Sequence, residues 1–183
     1  MKNSRGQKLV LPLNNKIISS LKNGDRVLVS GTLYTARDQA HKKLVELIIK
    51  GKKLPFDLNN QIIFYAGPTP GKNGKIVGSI GPTTASRMDS FVEPLLKNGL
   101  KGMIGKGPRD QNIKKLLKQY KAVYFIATGG VAALLGKCIK NSELIAFPEL
   151  GPEAVLKLEV KDFPLIVAYD AKGNDFFEEE REE

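Results

Sequence analysis

Residues 81–91, with the sequence GPTTASRMDSF, combine two hydroxyls and a guanidinium at the start of a predicted helix. Thr83 and Thr84 are residues that favour the N-cap position, and Arg87 follows one turn later. The first N–H groups of a helix lack intrahelical partners and carry a partial positive charge, and the fork of an arginine suits a carboxylate. The motif therefore predicts an anion site, although a capped surface helix with a solvated arginine fits it equally well.

Residues 35–41, TARDQAH, repeat this design behind an apolar run. Thr35 is predicted to cap the helix, with Asp38 completing a short capping box, and Arg37 falls in the first helical turn. His41, the chain's one histidine, lies four residues after Arg37 and so shares its helix face. A lone histidine is more often structural, but its place beside an arginine at a helix start makes a functional role as well founded.

A third cation follows a short apolar strand in residues 101–107, KGMIGKG. Glycines on both sides of Lys106 let the backbone approach a ligand, and an ammonium at a strand end can meet an anion. A solvated turn is an equally simple explanation. The segment is not a P-loop, because it lacks the glycine spacing and the Ser or Thr after the lysine.

Segments with helical periodicity alternate with segments of strand-like periodicity, which predicts a mixed α/β domain. The elements of this domain must position the three segments described above. Helices are predicted at residues 36–50, 85–97, 111–119 and 130–139. Strands are predicted at residues 9–11, 27–33, 62–66, 76–80, 102–104, 123–127, 144–147, 154–160 and 165–169. The long C-terminal run without a helix predicts an additional layer of strands.

Composition places the chain among single-domain globular proteins. Its 183 residues are enough for a real core, and no apolar run approaches a membrane span or a signal peptide, so we expect a cytoplasmic protein. Cys138 is the one cysteine, which excludes an internal disulfide and a self-contained iron–sulfur site. The net charge of +10 attracts anions, but the basic residues lack interleaved stacking aromatics, so nucleic acid is not the expected partner.

Seven segments occur in the order seen in the β subunit of class I fumarate hydratase, a family that includes the β subunit of L(+)-tartrate dehydratase. They are TLYTARDQAH, IFYAGPTPGK, GPTTASRMDSF, MIGKG, YFIATGGVAALLGKCIK, FPELGPEA and LEVKDFPLIVAYDAKGN. The resemblance covers residues 8–176, and its polar motif positions show no departure. It implies a three-layer β/β/α swivelling domain over residues 1–176, followed by an acidic tail at 177–183 that we expect to be disordered.

The resemblance also implies roles for the polar residues. The chain would be the β subunit of a hydro-lyase that interconverts fumarate and L-malate. Substrate carboxylates would be held by Arg37, Arg87 and Lys106, with Thr84 supporting the pocket and His41 lining it or tuning Arg37. Thr83 would take part in proton transfer, activated by a group of the partner or merely orienting another base.

The cofactor and partner are likewise implied by the resemblance. A [4Fe–4S] cluster would be held by three cysteines of an α subunit in an α2β2 assembly, and this chain would bind no metal itself. L(+)-tartrate dehydratase is the alternative within the family. Outside it, a non-catalytic dicarboxylate-binding module and a nucleic-acid-binding protein remain as other classes.

Overall fold

The computed structural model describes residues 6–71, 77–127 and 132–178. Its strands are β1 Gln7–Val10, β2 Arg26–Thr35, β3 Ile62–Phe64, β4 Gly102–Gly105, β5 Val123–Ile126, β6 Ile139–Ala146 and β7 Val155–Tyr169. Its α-helices are α1 Asn15–Ser20, α2 Asp38–Ile49, α3 Asp89–Lys97, α4 Gln111–Tyr120 and α5 Ala132–Cys138. Short 3-10 segments occupy Ala85–Met88 and Pro148–Glu153.

The strands form one sheet in the order β1-β2-β3-β4-β5-β7-β6. Strands β1 to β5 pair in parallel, whereas β7 runs antiparallel to β2, β5 and β6. Because β7 pairs with both β2 and β5, the sheet curls round and closes through this strand. The carboxyl ends of β2, β3 and β4 consequently lie side by side at one edge.

The two faces of the sheet carry separate apolar cores, as the alternation along β3 shows. Ile62 and Phe64 join a core built with residues of β1, β2, β5 and β7, whereas Ile63 and Tyr65 join the core beneath α2, α3 and α4. Successive side chains of a strand point to opposite faces of its sheet, so a run of apolar residues that is buried on both faces contributes to both cores. The prediction of a mixed α/β fold is confirmed.

The C-terminal strands differ from the sequence prediction. The two strands predicted at residues 154–160 and 165–169 are one strand, β7. Asp162 interrupts its regularity with a φ of 51°, and its N–H donates to the Ser30 hydroxyl at 3.0 Å. Pro164 stays in register opposite Leu28, so the sequence KDFP marks an irregular point rather than an end.

Other predicted elements were also misplaced. Of the strand predicted at residues 76–80, residue 76 lies outside the described part of the chain, and Val77 makes only an isolated bridge to Pro70. Helix α1 was missed; Asn14 caps it by accepting a hydrogen bond from the Ile17 N–H at 2.9 Å. Strand β6 begins at Ile139, earlier than predicted.

The predicted acidic tail is described only at its first two residues. The Phe177 ring lies edge-on to that of Tyr169, with centroids 6.2 Å apart, and Glu178 pairs with the Lys114 ammonium at 2.5 Å. Residues 179–183 lie outside the described chain. In the ranges that are described, no helix is long and apolar enough to cross a membrane.

Candidate functional site

The predicted site residues come to the edge where β2, β3 and β4 end. Arg37 lies two residues after β2, and Lys106 directly follows β4. Thr83 lies beside the end of β3, because its N–H donates to the Tyr65 carbonyl at 2.7 Å. Ligands of α/β sheets bind at the carboxyl ends of strands, which makes this edge the candidate site.

Arg37 and Arg87 meet on one carboxylate, that of Asp38. Oδ1 of Asp38 accepts from Nε of Arg87 at 2.9 Å and lies 2.8 Å from its Nη2. Oδ2 accepts from Nε of Arg37 at 3.2 Å. Two guanidinium groups that are 50 residues apart in sequence thus lie within reach of a small ligand.

Thr83 and Lys106 are fixed beside each other by the backbone. The Lys106 N–H donates to the Thr83 carbonyl at 3.1 Å, and the Ala85 N–H donates to the Lys106 carbonyl at 2.9 Å. Thr84 lies in a parallel bridge with Lys106. Within the described part of the chain, neither the Thr83 hydroxyl nor the Lys106 ammonium has a hydrogen-bond partner, so both remain available to a ligand.

The predicted threonine caps were wrong. Thr84 stands before the 3-10 turn, but its hydroxyl makes no capping hydrogen bond. Thr35 is the last residue of β2; its buried hydroxyl accepts from the Leu156 N–H at 3.0 Å. Arg37 precedes α2 instead of lying in its first turn. The cap comes from the distant 3-10 segment Pro148–Glu153, where Oε2 of Glu153 accepts from the Gln39 N–H at 2.7 Å.

Gly67 leaves room for the Arg37 side chain. A Cβ at Gly67 would lie 3.2 Å from Cδ and Nη1 of Arg37 and 2.9 Å from the Pro152 carbonyl oxygen. Such distances are shorter than ordinary contacts, so a larger residue would displace the guanidinium or the loop. Glu153 adds a second carboxylate, 3.7 Å from Nε of Arg37.

A buried ion pair beneath the edge was missed by the sequence analysis. The Arg109 side chain is fully buried, and its Nε donates to Oδ1 of Asp89 at 2.7 Å. The Cζ atom of its guanidinium also lies over the rings of Tyr65 and Tyr124, 5.2 and 5.1 Å from their centroids. The pair ties the segment after Lys106 to the start of α3. The RMD motif contained Asp89, but nothing local identified Arg109 as its partner.

His41 is buried and does not reach solvent. Its Nδ1 lies 3.1 Å from the Arg37 carbonyl, which only accepts, so Nδ1 carries the proton. Nε2 has no hydrogen-bond partner among the described residues, and the ring packs edge-on against Tyr65. Burial lowers the pKa of His41 to about 4, so the ring is neutral at neutral pH. Its contact with the site is the bond to the Arg37 backbone.

Asp38 remains ionised between the arginines. Burial acts to raise the pKa of Asp38, but a backbone N–H and the guanidinium groups of Arg37 and Arg87 outweigh it, so the pKa lies below its ordinary value. The three cations and the carboxylates of Asp38 and Glu153 leave one net positive charge. The edge is therefore suited to an anion.

Residues 6–71, 77–127 and 132–178 contain no group of three His, Cys, Asp or Glu side chains that could hold a metal ion. Cys138 is half-buried at the end of α5, where its Sγ lies 3.8 Å from the Asp162 carbonyl oxygen.

Comparisons with known proteins agree on one family. The family profile described as fumarase C-terminus matches residues 2–180. A putative L(+)-tartrate dehydratase subunit beta of Methanocaldococcus jannaschii is 44% identical over 91% of this chain and 89% of its own length. L(+)-tartrate dehydratase subunit beta of Escherichia coli is 35% identical over 94% and 87%. The anaerobic class I fumarate hydratase of E. coli is 45% identical over 84% of this chain, but only 28% of its own length is covered.

Proposed function

The chain belongs to the fumarase C-terminus family, and we propose that it is the β subunit of an iron–sulfur hydro-lyase that hydrates fumarate to L-malate reversibly. The observation that carries the proposal is the pair of arginines, Arg37 and Arg87, held on Asp38 beside Thr83 and Lys106. Fumarate presents two carboxylates, and the site presents three cations from three separate segments.

Each cation has a distinct part in this proposal. Arg87 and Arg37 hold the carboxylates through terminal N–H groups, which gives bidentate and therefore directional binding. Dehydration of malate leaves negative charge that spreads into the carboxylate next to the deprotonated carbon. A cation fixed beside that carboxylate stabilises the transition state more than the ground state, and Lys106 is free for this role.

Thr83 is proposed to act in proton transfer at the substrate carbon. Its hydroxyl is free for a ligand, but a threonine hydroxyl is a weak base without a neighbour that polarises it. The described residues provide no such neighbour within hydrogen-bonding distance. In this proposal the activating group comes partly from the partner, or Thr83 merely orients another base.

The leaving hydroxyl requires a Lewis acid, which a [4Fe–4S] cluster of the α subunit supplies when bound there. Such a cluster takes several thiolates, and this chain has one cysteine, so its residues do not fit as the ligand set. This chain's contribution is to bind the diacid, orient it and exclude water when the two subunits meet. Arg87, whose side chain is 51% exposed, lies on the face that the α subunit would cover.

The second candidate is L(+)-tartrate dehydratase, which would remove water from tartrate to give the enol of oxaloacetate. The observation that favours it is length: the two tartrate dehydratase subunits named above match this chain over nearly their whole length, as separate β subunits. Both substrates are four-carbon diacids, so the cations described here serve either one.

The same proposal extends to architecture and assembly. The helix layer on one face of the sheet and the strand-built core on the other support the three-layer β/β/α swivelling arrangement. An α2β2 assembly in the cytoplasm completes it, with the open site edge against the α subunit. Size-exclusion chromatography with light scattering of the co-expressed subunits tests the stoichiometry.

The decisive experiment is anaerobic reconstitution with the α subunit. We expect loss of the ultraviolet absorbance of fumarate, with tartrate assayed in parallel through the oxaloacetate formed. Preferential turnover of tartrate would replace fumarate as substrate, and no turnover of either would remove the enzyme proposal.

Arg87→Ala tests the site assignment in the same complex. We expect kcat/KM to fall at least about a hundredfold, equivalent to about 2.7 kcal/mol of transition-state stabilisation, without loss of assembly. Lys97→Ala is the matched control, because Lys97 lies in α3 and, within the described ranges, forms its ion pair with Glu93 alone, at 3.0 Å. Near-native kinetics of Arg87→Ala would contradict the assignment.

A further inference from the structure

We propose that Asp38 is a positioning residue that sets the orientation of both substrate-binding arginines. The inference rests on the proposed function and adds a residue to it. Oδ1 of Asp38 holds Nε and Nη2 of Arg87, and Oδ2 holds Nε of Arg37. One carboxylate thus fixes two guanidinium groups that come from different segments of the chain.

The contacts leave the substrate-binding edges of both arginines open. A guanidinium has a side edge, made of Nε and one Nη, and an end edge, made of both Nη atoms. Asp38 takes the side edge of Arg87 and the Nε of Arg37. Nη1 of Arg87 and both Nη atoms of Arg37 have no hydrogen-bond partner in the described ranges. The end edges are therefore free to form paired hydrogen bonds with a carboxylate.

Asp38 is itself well fixed. It is the first residue of α2, where a negative charge is favoured by the helix N-terminus, and its side chain is only 23% exposed. Arg87 is half-exposed and lies in the short 3-10 segment Ala85–Met88, so its free side chain would sample several rotamers. Fixing an arginine before binding removes part of the side-chain entropy cost from the binding step.

Charge balance gives Asp38 a second effect. Arg37 and Arg87 repel each other, and the carboxylate between them offsets this repulsion while the site is empty. In the opposite role, Asp38 would compete with the substrate for the arginines, and a substrate carboxylate would have to displace the Asp38 carboxylate in order to bind. Contacts on the side edges favour positioning, because a diacid can bind the end edges without moving Asp38. The two roles predict opposite changes in KM.

The test compares Asp38→Asn with wild type in the reconstituted complex. Asparagine keeps the shape but removes the charge, so we expect KM for the diacid to rise about tenfold, the equivalent of 1.4 kcal/mol, with a smaller change in kcat. Asp38→Glu restores the charge on a longer side chain and should recover part of the loss. Glu46→Gln is the matched control, because Glu46 also lies in α2 but pairs with Lys50 and with no other side chain of the described residues.

A second readout follows the arginines in the free chain. The Nε–H resonance of Arg87 should be protected in wild type and in Glu46→Gln but exchange rapidly in Asp38→Asn, with thermal unfolding confirming that each variant is folded. Succinate serves as an unreactive diacid probe, and it should shift the arginine resonances at lower concentration in wild type than in Asp38→Asn.

Unchanged or lower KM in Asp38→Asn, or equal succinate titrations, would overturn the inference. Its failure is distinguishable from failure of the proposed function. If the wild-type complex turned over neither fumarate nor tartrate, the proposed function would be rejected. If the wild type were active and Asp38→Asn had the same KM, only the role of Asp38 would be rejected. If the complex is inactive, protection of the Arg87 resonance and the succinate titration still decide the positioning role.

Discussion

His41→Asn is expected to remove a pH-dependent component of the stability. In the folded chain His41 is buried and neutral, with a pKa of about 4, whereas an unfolded histidine titrates near its ordinary value of 6.5. The unfolded state therefore binds more protons between these values, and the free energy of unfolding rises with pH there. The contribution is fully present above about pH 6.5 and is lost as the pH falls towards 4.

The magnitude follows from the two pKa values. Linkage gives a loss of about 2 kcal/mol from His41 on going from pH 8 to pH 5, and of about 3 kcal/mol by pH 4. Asparagine carries no titrating group, and its amide can replace the Nδ1–H donor to the Arg37 carbonyl. At pH 8 the variant should be less stable because the ring contacts with Tyr65 and Phe91 are lost.

Urea unfolding of both proteins at several pH values measures this contribution. The carboxylates titrate in wild type and variant alike, so they cancel in the difference between the two free energies. We expect that difference to shrink by about 2 kcal/mol between pH 8 and pH 5. A constant difference over this range would refute the assignment of His41 as buried and neutral. Nitrogen NMR spectra of the His41 imidazole should in addition show that its proton is on Nδ1.

The remaining predictions concern the supports of the site. Arg109→Met should lower the free energy of unfolding by about 3–5 kcal/mol, because it leaves the charge of Asp89 uncompensated. Adding Asp89→Asn to this variant should recover much of the loss. If urea unfolding showed that the two substitutions have additive effects on stability, a buried pair would be contradicted. Gly67→Ala should raise KM of the complex by displacing Arg37, with little effect on the melting temperature; a native KM would show that the loop yields instead. Glu153→Ala should lower the free energy of unfolding by about 1 kcal/mol, because α2 loses its cap. Thermal unfolding measures this change, and an unchanged stability would mean that water replaces the Glu153 carboxylate as acceptor.

Local patterns predicted much of the fold but not its long-range partners. The periodicity of α2 to α4 and the short buried strands identified the α/β class, because each pattern depends on near neighbours in sequence. The cap of α2 was mispredicted because Glu153 lies 114 residues after Gln39, and a local rule assigned the role to Thr35. The continuity of β7 was missed because Asp162 is irregular without ending the strand.

The site shows the same division between local and distant information. The motifs identified Arg37, Arg87 and Lys106 as cations beside helix or strand ends, and the structure brings all three to one sheet edge. Which carboxylate holds the arginines could not be predicted, because Asp38 pairs with Arg87 across 49 positions of sequence. The buried partner of Asp89 was likewise hidden, since only packing places Arg109 there.

A crystal structure of the assembled αβ enzyme with succinate would test most directly whether this chain binds a diacid. We expect one carboxylate within about 3.2 Å of terminal nitrogens of Arg37 or Arg87, with Asp38 still on their side edges, and Lys106 directed at the same ligand. A diacid bound away from this edge, or arginines turned apart from a ligand held by the α subunit alone, would contradict it.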